Sequence, residues 1–383
     1  MSGIDERYTL EVLRKMVRIA SVNPTLAEGG TGEQEVGVWL AEECQRLGFD
    51  VEVQAAAPGR PNVVARRAGT GGGRSLMLTG HTDTVGTLDM TIDPFGAVVL
   101  DGKLYGRGSQ DMKGGLAAIL GAARAVAQRP HRGDLILAFV VDEEYASIGA
   151  TALVETVRAD AAILTEPTDE RLCIAHKGFA WLTLHTQGRA AHGSLYNTGV
   201  DAIAHMGRLL AALERFEREV LPGRQHPLLG RPSVHASAIS GGLGLSTYPD
   251  QCMMQVEHRL LPDETADSVL SLWHDEIDRL KAADSHFDAS VRLELHRPGY
   301  GIERDAPIVT TLEESIRAET GDAPVFWGMP AWLDSAIIGR AGTPTVIYGP
   351  KGAGMHGAEE YVEVDSVMRC ARAIAAAAEN WLS

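Results

Sequence analysis

Two histidines and three carboxylates, His81, Asp111, Glu144, Glu166 and His356, stand where short apolar runs give way to polar residues. SLMLTG leads into His81, DLILAFVV into Asp142, Glu143 and Glu144, AAIL into Glu166, and TPTVIYG precedes the segment holding His356. Imidazole and carboxylate together suit Zn(II), with Co(II) or Mn(II) as substitutes, and the lack of a thiol in the set disfavours a purely structural zinc site. One carboxylate can bridge two metal ions about 3.5–4 Å apart, so that each ion takes one imidazole, one terminal carboxylate and the bridge. Taken singly, each residue also has a plainer role. Asp111 can cap the helix that begins in GGLAA, and DEE is an ordinary surface run.

Their common position at strand ends predicts the elements that hold them. The short apolar runs read as strands, and helical stretches separate them: Tyr8 to Ile19, Glu33 to Leu47 ending at Gly48, Gly114 to Ala127, and Ala150 to Val157. Strands alternating with helices predict an α/β domain with a largely parallel sheet, whose ligands gather beyond the carboxyl ends of its strands. The middle of the chain has another rhythm. AWLTLHTQG after Phe179 alternates like a half-exposed strand; VHASAISGG, QCMMQVEHRLL and SVRLELHRP read likewise, with helices over Asp201–Val220 and about Ala266–Ala282. Four strands and two helices predict a small α+β domain inserted into the larger one. The expected division is 1–178 and 297–383 for the outer domain, closing with a helix from Val364 to Trp381, and 179–296 for the insert.

Composition limits the partners. The 383 residues suit two domains, and 45% hydrophobic with 22% charged residues is ordinary for a globular protein. A net charge of -16 argues against a nucleic-acid or anionic-membrane surface. The start lacks the pattern of a signal peptide, and no apolar run is long enough to span a bilayer. Cys44, Cys173, Cys252 and Cys370 are scattered, which predicts reduced, structural thiols and a cytoplasmic location.

The ordered blocks GHTDTV (80–85), DPF (93–95), LYGRGSQDMKGG (104–115), DEE (142–144), TEPT (165–168) and MHGAEEYV (355–362) carry a resemblance. Together they resemble the zinc metallopeptidase and deacylase family of acetylornithine deacetylase, succinyl-diaminopimelate desuccinylase, aminoacylase and glutamate carboxypeptidase, over essentially the whole chain. The resemblance implies a zinc-dependent exopeptidase-like catalytic domain with an inserted lid and dimerisation domain, two Zn(II) per subunit, and a homodimer. It implies that Asp111 bridges the metals, that His81 and Glu166 complete one site, and that Glu144 and His356 complete the other. Asp83 would orient His81, and Glu143 would be the general base. In RAAHGS (189–194), His192 would help stabilise an oxyanion, in relatives from a second subunit; in VEHRLLPDET, Arg259 would grip a substrate carboxylate. The Asp111–Met112 peptide is expected to be cis. The expected activity is removal of the acyl group from a small N-acyl amino acid, with a carboxypeptidase or dipeptidase of the same family as the alternative and a non-catalytic binding protein as the remote one. The chain departs from the family pattern at Ser246-Thr247-Tyr248-Pro249 and at Leu333-Asp334, both substrate-contacting places in relatives. Trp327 and Trp332 could line an acyl pocket or simply pack.

Overall fold

The computed structural model describes residues 3–383. The chain forms two compact units. One comprises the chain up to Ile174 together with Ile302–Trp327 and Leu333–Ser383; the other comprises Ala175–Gly301 and Gly328–Trp332. The second unit thus starts four residues before the expected insert and takes in a short stretch near Trp332 that the sequence division left outside.

The first unit is built on a mixed sheet. Its centre is the strand Leu76–His81, parallel to Leu135–Val140 on one side and to Ala161–Leu164 on the other, with Thr345–Ile347 continuing in parallel beyond. All four strands are buried along their length, which is why they read as unbroken apolar runs. Each fully buried Leu, Ile or Met among them contributes about 1.5–3 kcal/mol. The sheet is less parallel than expected. An antiparallel hairpin, Asp50–Ala57 and Arg60–Arg67, extends it beyond Leu135–Val140, and Leu172–His176 adds antiparallel to Thr345–Ile347. The helix Gly114–Ala127 is almost wholly buried and packs against the closing helix Val364–Trp381 and against Glu6–Arg18. Among the described residues no helix is long and apolar enough to cross a membrane.

The second unit contains a four-stranded antiparallel sheet in the order Ser233–Gly241, Gln251–Leu260, Gly178–Gln187, Asp288–Arg297. The helices Ala202–Arg215 and Ala266–Ala283 supply its core, in which Met206, Leu209, Trp273 and Ile277 pack with Leu182, Leu184, Met254 and Val256. Thr265 and Ser268 form a reciprocal capping box at the start of the second helix. The helix predicted over Asp201–Val220 is regular only to Arg215; Phe216–Val220 continues it as one wider turn.

Candidate metal centre

His81 is the last residue of its strand and is buried. Its Nδ1 lies 3.0 Å from the main-chain carbonyl of Asp83, so that nitrogen carries the proton and Nε2 presents its lone pair. Nε2 stands 3.1 Å from Asp111 Oδ1 and 3.7 Å from Glu166 Oε1. On the other side of Asp111, Oδ2 is 3.3 Å from His356 Nε2, which is also 3.1 Å from Glu144 Oε2. Asp111 therefore turns one oxygen to each imidazole. Two groups result, His81–Asp111–Glu166 and Asp111–Glu144–His356, each with one ligand atom per residue within 4.8 Å of the others.

The donor set fits a pair of divalent cations. Glu144 Oε1 and Glu166 Oε1 are buried and lack a hydrogen-bond partner, a costly arrangement for carboxylates unless a cation completes it. The electrostatics agree. Burial pushes Glu166 well above the usual carboxylate range, and Asp111 adds to the effect; burial followed by Asp111 likewise raises Glu144. His356 is pushed up to about 10 by its hydrogen bonds to Asp111 and Glu144. Burial works against protonating His81, yet the Glu166 charge and the bond to Asp111 outweigh it and raise the imidazole.

Three local features surround the centre. The Asp111–Met112 peptide is cis, as the resemblance implies. Glu360, fully buried, accepts hydrogen bonds from Arg107 Nη1 (2.8 Å) and the amides of Gly108 (2.9 Å), Gln110 (2.9 Å) and Asp111 (3.0 Å), so one carboxylate clamps the loop that presents Asp111. Gly115 lets its helix approach the Thr165–Glu166 strand end, because a Cβ there would sit 2.1 Å from the Thr165 carbonyl oxygen.

Glu143 is half-buried beside Glu144 on the turn after Leu135–Val140. Burial first, then the charges of Glu166 and Asp334, push its carboxyl well above the usual range. At Asp83 it is the main-chain carbonyl, 3.0 Å from Nδ1, that meets His81. The Asp83 carboxylate is 3.6 Å from His81 Nδ1, but it accepts the amides of Glu143 (3.1 Å) and Glu144 (3.2 Å) and the side-chain amide of Asn23 (2.8 Å). The turn thus hangs from Asp83.

His192 and Arg259 lie in the second unit. His192 is exposed, its Nδ1 2.8 Å from Ser194 Oγ, on a loop bridged to Thr247. Arg259 is half-buried, ion-paired with Glu257 two residues earlier on its strand, and stacked over Phe179. Trp327 lies under the Arg171 guanidinium, 3.7 Å from its ring centre, and Trp332 donates to the Pro298 carbonyl at 3.0 Å. Sequence reasoning gave no role to Glu360, Asn23 or Arg60. Glu360 had a signal, its place in the quoted MHGAEEYV block; a lone Asn between Val22 and Pro24 and a lone Arg between Gly59 and Pro61 offer none.

The model of peptidase family M20/M25/M40 matches residues 77–380, and the chain belongs to that family. It is 31% identical to an acetylornithine deacetylase of Myxococcus xanthus over 352 residues, which is 88% of this chain and 89% of the relative. Among solved structures it is similar to a tripeptidase from Staphylococcus aureus (TM-score 0.80, 23% identity, 99% of each chain covered). It is also similar to a dinuclear metal binding peptidase of the M20 family from Bacillus subtilis (TM-score 0.76, 16% identity, 98% of each chain covered).

Proposed function

We propose that the protein is a dinuclear zinc amidohydrolase that removes the acyl group from an N-acyl amino acid. The observation that carries this is Asp111 set between two imidazoles, with a further carboxylate beside each. His81 and Glu166 would hold one ion, His356 and Glu144 the other, and Asp111 both. Bound there, zinc, or cobalt or manganese in its place, would polarise the scissile carbonyl and make a water acidic enough to attack at neutral pH. Glu143 accepts the proton from that water as its oxygen bonds to the carbonyl carbon. It then delivers the proton to the amide nitrogen as the C–N bond breaks. Asp83 keeps His81 in the tautomer that presents Nε2. Arg259 grips the substrate carboxylate in a planar fork.

The acetylornithine deacetylase relative supports deacylation; the family's peptidase description supports a second reading, a carboxypeptidase or dipeptidase acting through the same centre on a peptide bond. All four cysteines are buried thiols, and we read the protein as cytoplasmic on that ground. The test is turnover by the zinc-loaded protein of a panel of N-acetyl, N-succinyl and N-formyl amino acids and dipeptides. Release of free amino acid from acylated members carries the deacylase reading. Cleavage of dipeptides alone would replace it with the second, and inertness across the panel would leave a binding protein.

We infer further that residues 179–296 pair with their counterpart in a homodimer and that His192 serves the partner's centre, donating a hydrogen bond to the carbonyl oxygen as charge develops on it. His192→Ala should cut turnover by about 10²–10³-fold with the metal content unchanged, the scale for one lost oxyanion donor. Mixing His192→Ala subunits with Glu143→Ala subunits should restore part of the activity, because one heterodimer site is complete. Demonstrated subunit exchange without any recovery would refute action in trans.

A further inference from the structure

Asp142 opens the DEE run yet has no place in the chemistry above. It is fully buried, takes a left-handed backbone (φ 69°), and is the hub of the turn that carries Glu143. Its main-chain carbonyl accepts the amides of Tyr145, Ala146 and Ser147, and its Oδ2 accepts those of Ala146 (3.2 Å) and Ile148 (3.4 Å). Its Oδ1 receives Arg60 Nη1 at 2.7 Å and Asn23 Nδ2 at 3.0 Å. The same Asn23 amide donates to Asp83 Oδ2 at 2.8 Å, and Asp83 holds the amides of Glu143 and Glu144. A closed ring follows: Asn23 to Asp142, along the main chain to Glu143, across to Asp83, and back to Asn23. Arg60 is fixed from behind by a two-point ion pair with the buried Glu33, and Asn23 Oδ1 is fixed by the amides of Thr25 (2.9 Å) and Leu26 (3.2 Å).

Three buried carboxylates, Glu33, Asp83 and Asp142, gather around this ring. Burying charges in this way is expensive, and apolar packing would stabilise the same space as well or better. What a hydrogen-bonded charge network supplies instead is a single orientation. Here the orientation it sets is that of the residues on either side of Glu143.

We propose that Asn23 and Arg60 are positioning residues for Glu143, aiming its carboxylate through Asp142 and Asp83. This rests on the reading of Glu143 as the proton carrier. Arg60→Lys keeps the charge but loses the fork that spans Glu33 and Asp142. Arg60→Met loses both. With the fastest amide of the panel, kcat should fall about tenfold in Arg60→Lys and about hundredfold in Arg60→Met, the scale of an ångström-level misplacement. KM and the zinc-binding isotherm should stay near parent values. In the metal-free protein, hydrogen exchange across residues 142–148 should accelerate while the thermal midpoint moves little in Arg60→Lys. Asn23→Ala leaves the buried charges untouched, so it carries the same expectation of about a tenfold loss should Arg60→Met fail to fold. The Arg60→Lys/Glu143→Gln double variant should be no slower than Glu143→Gln alone.

Several outcomes overturn the proposal. Parental kcat in Arg60→Lys and Asn23→Ala beside an inactive Glu143→Gln would sink the positioning role and leave the proton carrier standing. A double variant slower than Glu143→Gln, or a kcat loss that tracks lost zinc, would show that Arg60 acts elsewhere. Near-parental turnover by Glu143→Gln itself would remove both readings together.

Discussion

Glu143→Gln should turn over its substrate at least about 10²–10⁴-fold more slowly than the parent, and more slowly still because in the proposed mechanism one carboxylate both takes and returns the proton. The loss corresponds to about 3–5 kcal/mol of transition-state stabilisation. The amide has nearly the carboxylate's shape but cannot carry a proton between water and nitrogen. Glu143 belongs to neither of the two groups of side chains that could hold a metal ion, so zinc content measured on the purified variant should equal that of the parent. KM should change little, since the residue acts on the reacting atoms rather than on the remote carboxylate of the substrate. Turnover within tenfold of the parent would assign the proton transfer to another group. A variant that has lost its zinc would instead place Glu143 among the ligands.

The metals give the second large effect. Chelation should abolish turnover, and zinc or cobalt should restore it. The two groups share only Asp111, which makes the single-site variants unequal. Asp111→Ala should weaken both sites, whereas His356→Ala should weaken one and leave the His81–Glu166 side to bind. Calorimetric titration of metal-free protein reads this directly as the number and affinity of sites. Full activity in metal-free parent protein would end the dinuclear reading. Equal loss of both sites in His356→Ala would contradict the division of ligands.

The central strands and their polar ends were legible because parallel strands buried on both faces must be apolar throughout, so the switch to His81, Glu144 and Glu166 stood out. The inserted α+β unit was legible from its alternation, as in Leu182 and Leu184 packing inward while Trp181 and His185 face out. Other features left no local trace. The hairpin Asp50–Arg67 pairs on one edge through its backbone, and its side chains carry no clean period. Residue types and spacing could nominate Asp111 only as one carboxylate among several; the bridging assignment needed family resemblance, and the two-sided geometry became visible only when His81 and His356 met across it. Asn23 and Arg60 act through partners 60 and 82 positions away, a separation that sequence periodicity cannot express.

The carboxylate of Glu360 reaches back some 250 positions to hold the loop of Asp111. The neighbouring main chain repeats the link, with Gly106 donating to the Glu360 carbonyl and Tyr361–Glu363 pairing with Lys103–Tyr105. Synthesis runs from the amino end at about 5–20 residues per second, so the loop waits on the order of ten seconds or more for its clamp to be made. For most of that interval His81, Glu144 and Glu166 exist on the nascent chain, but the segment that seats Asp111 and supplies His356 does not. A finished centre can therefore form only late in translation, and a growing chain stalled before residue 356 lacks both the second imidazole and the clamp. The carboxyl-terminal segment is thus the last part made and the one on which the Asp111 loop depends.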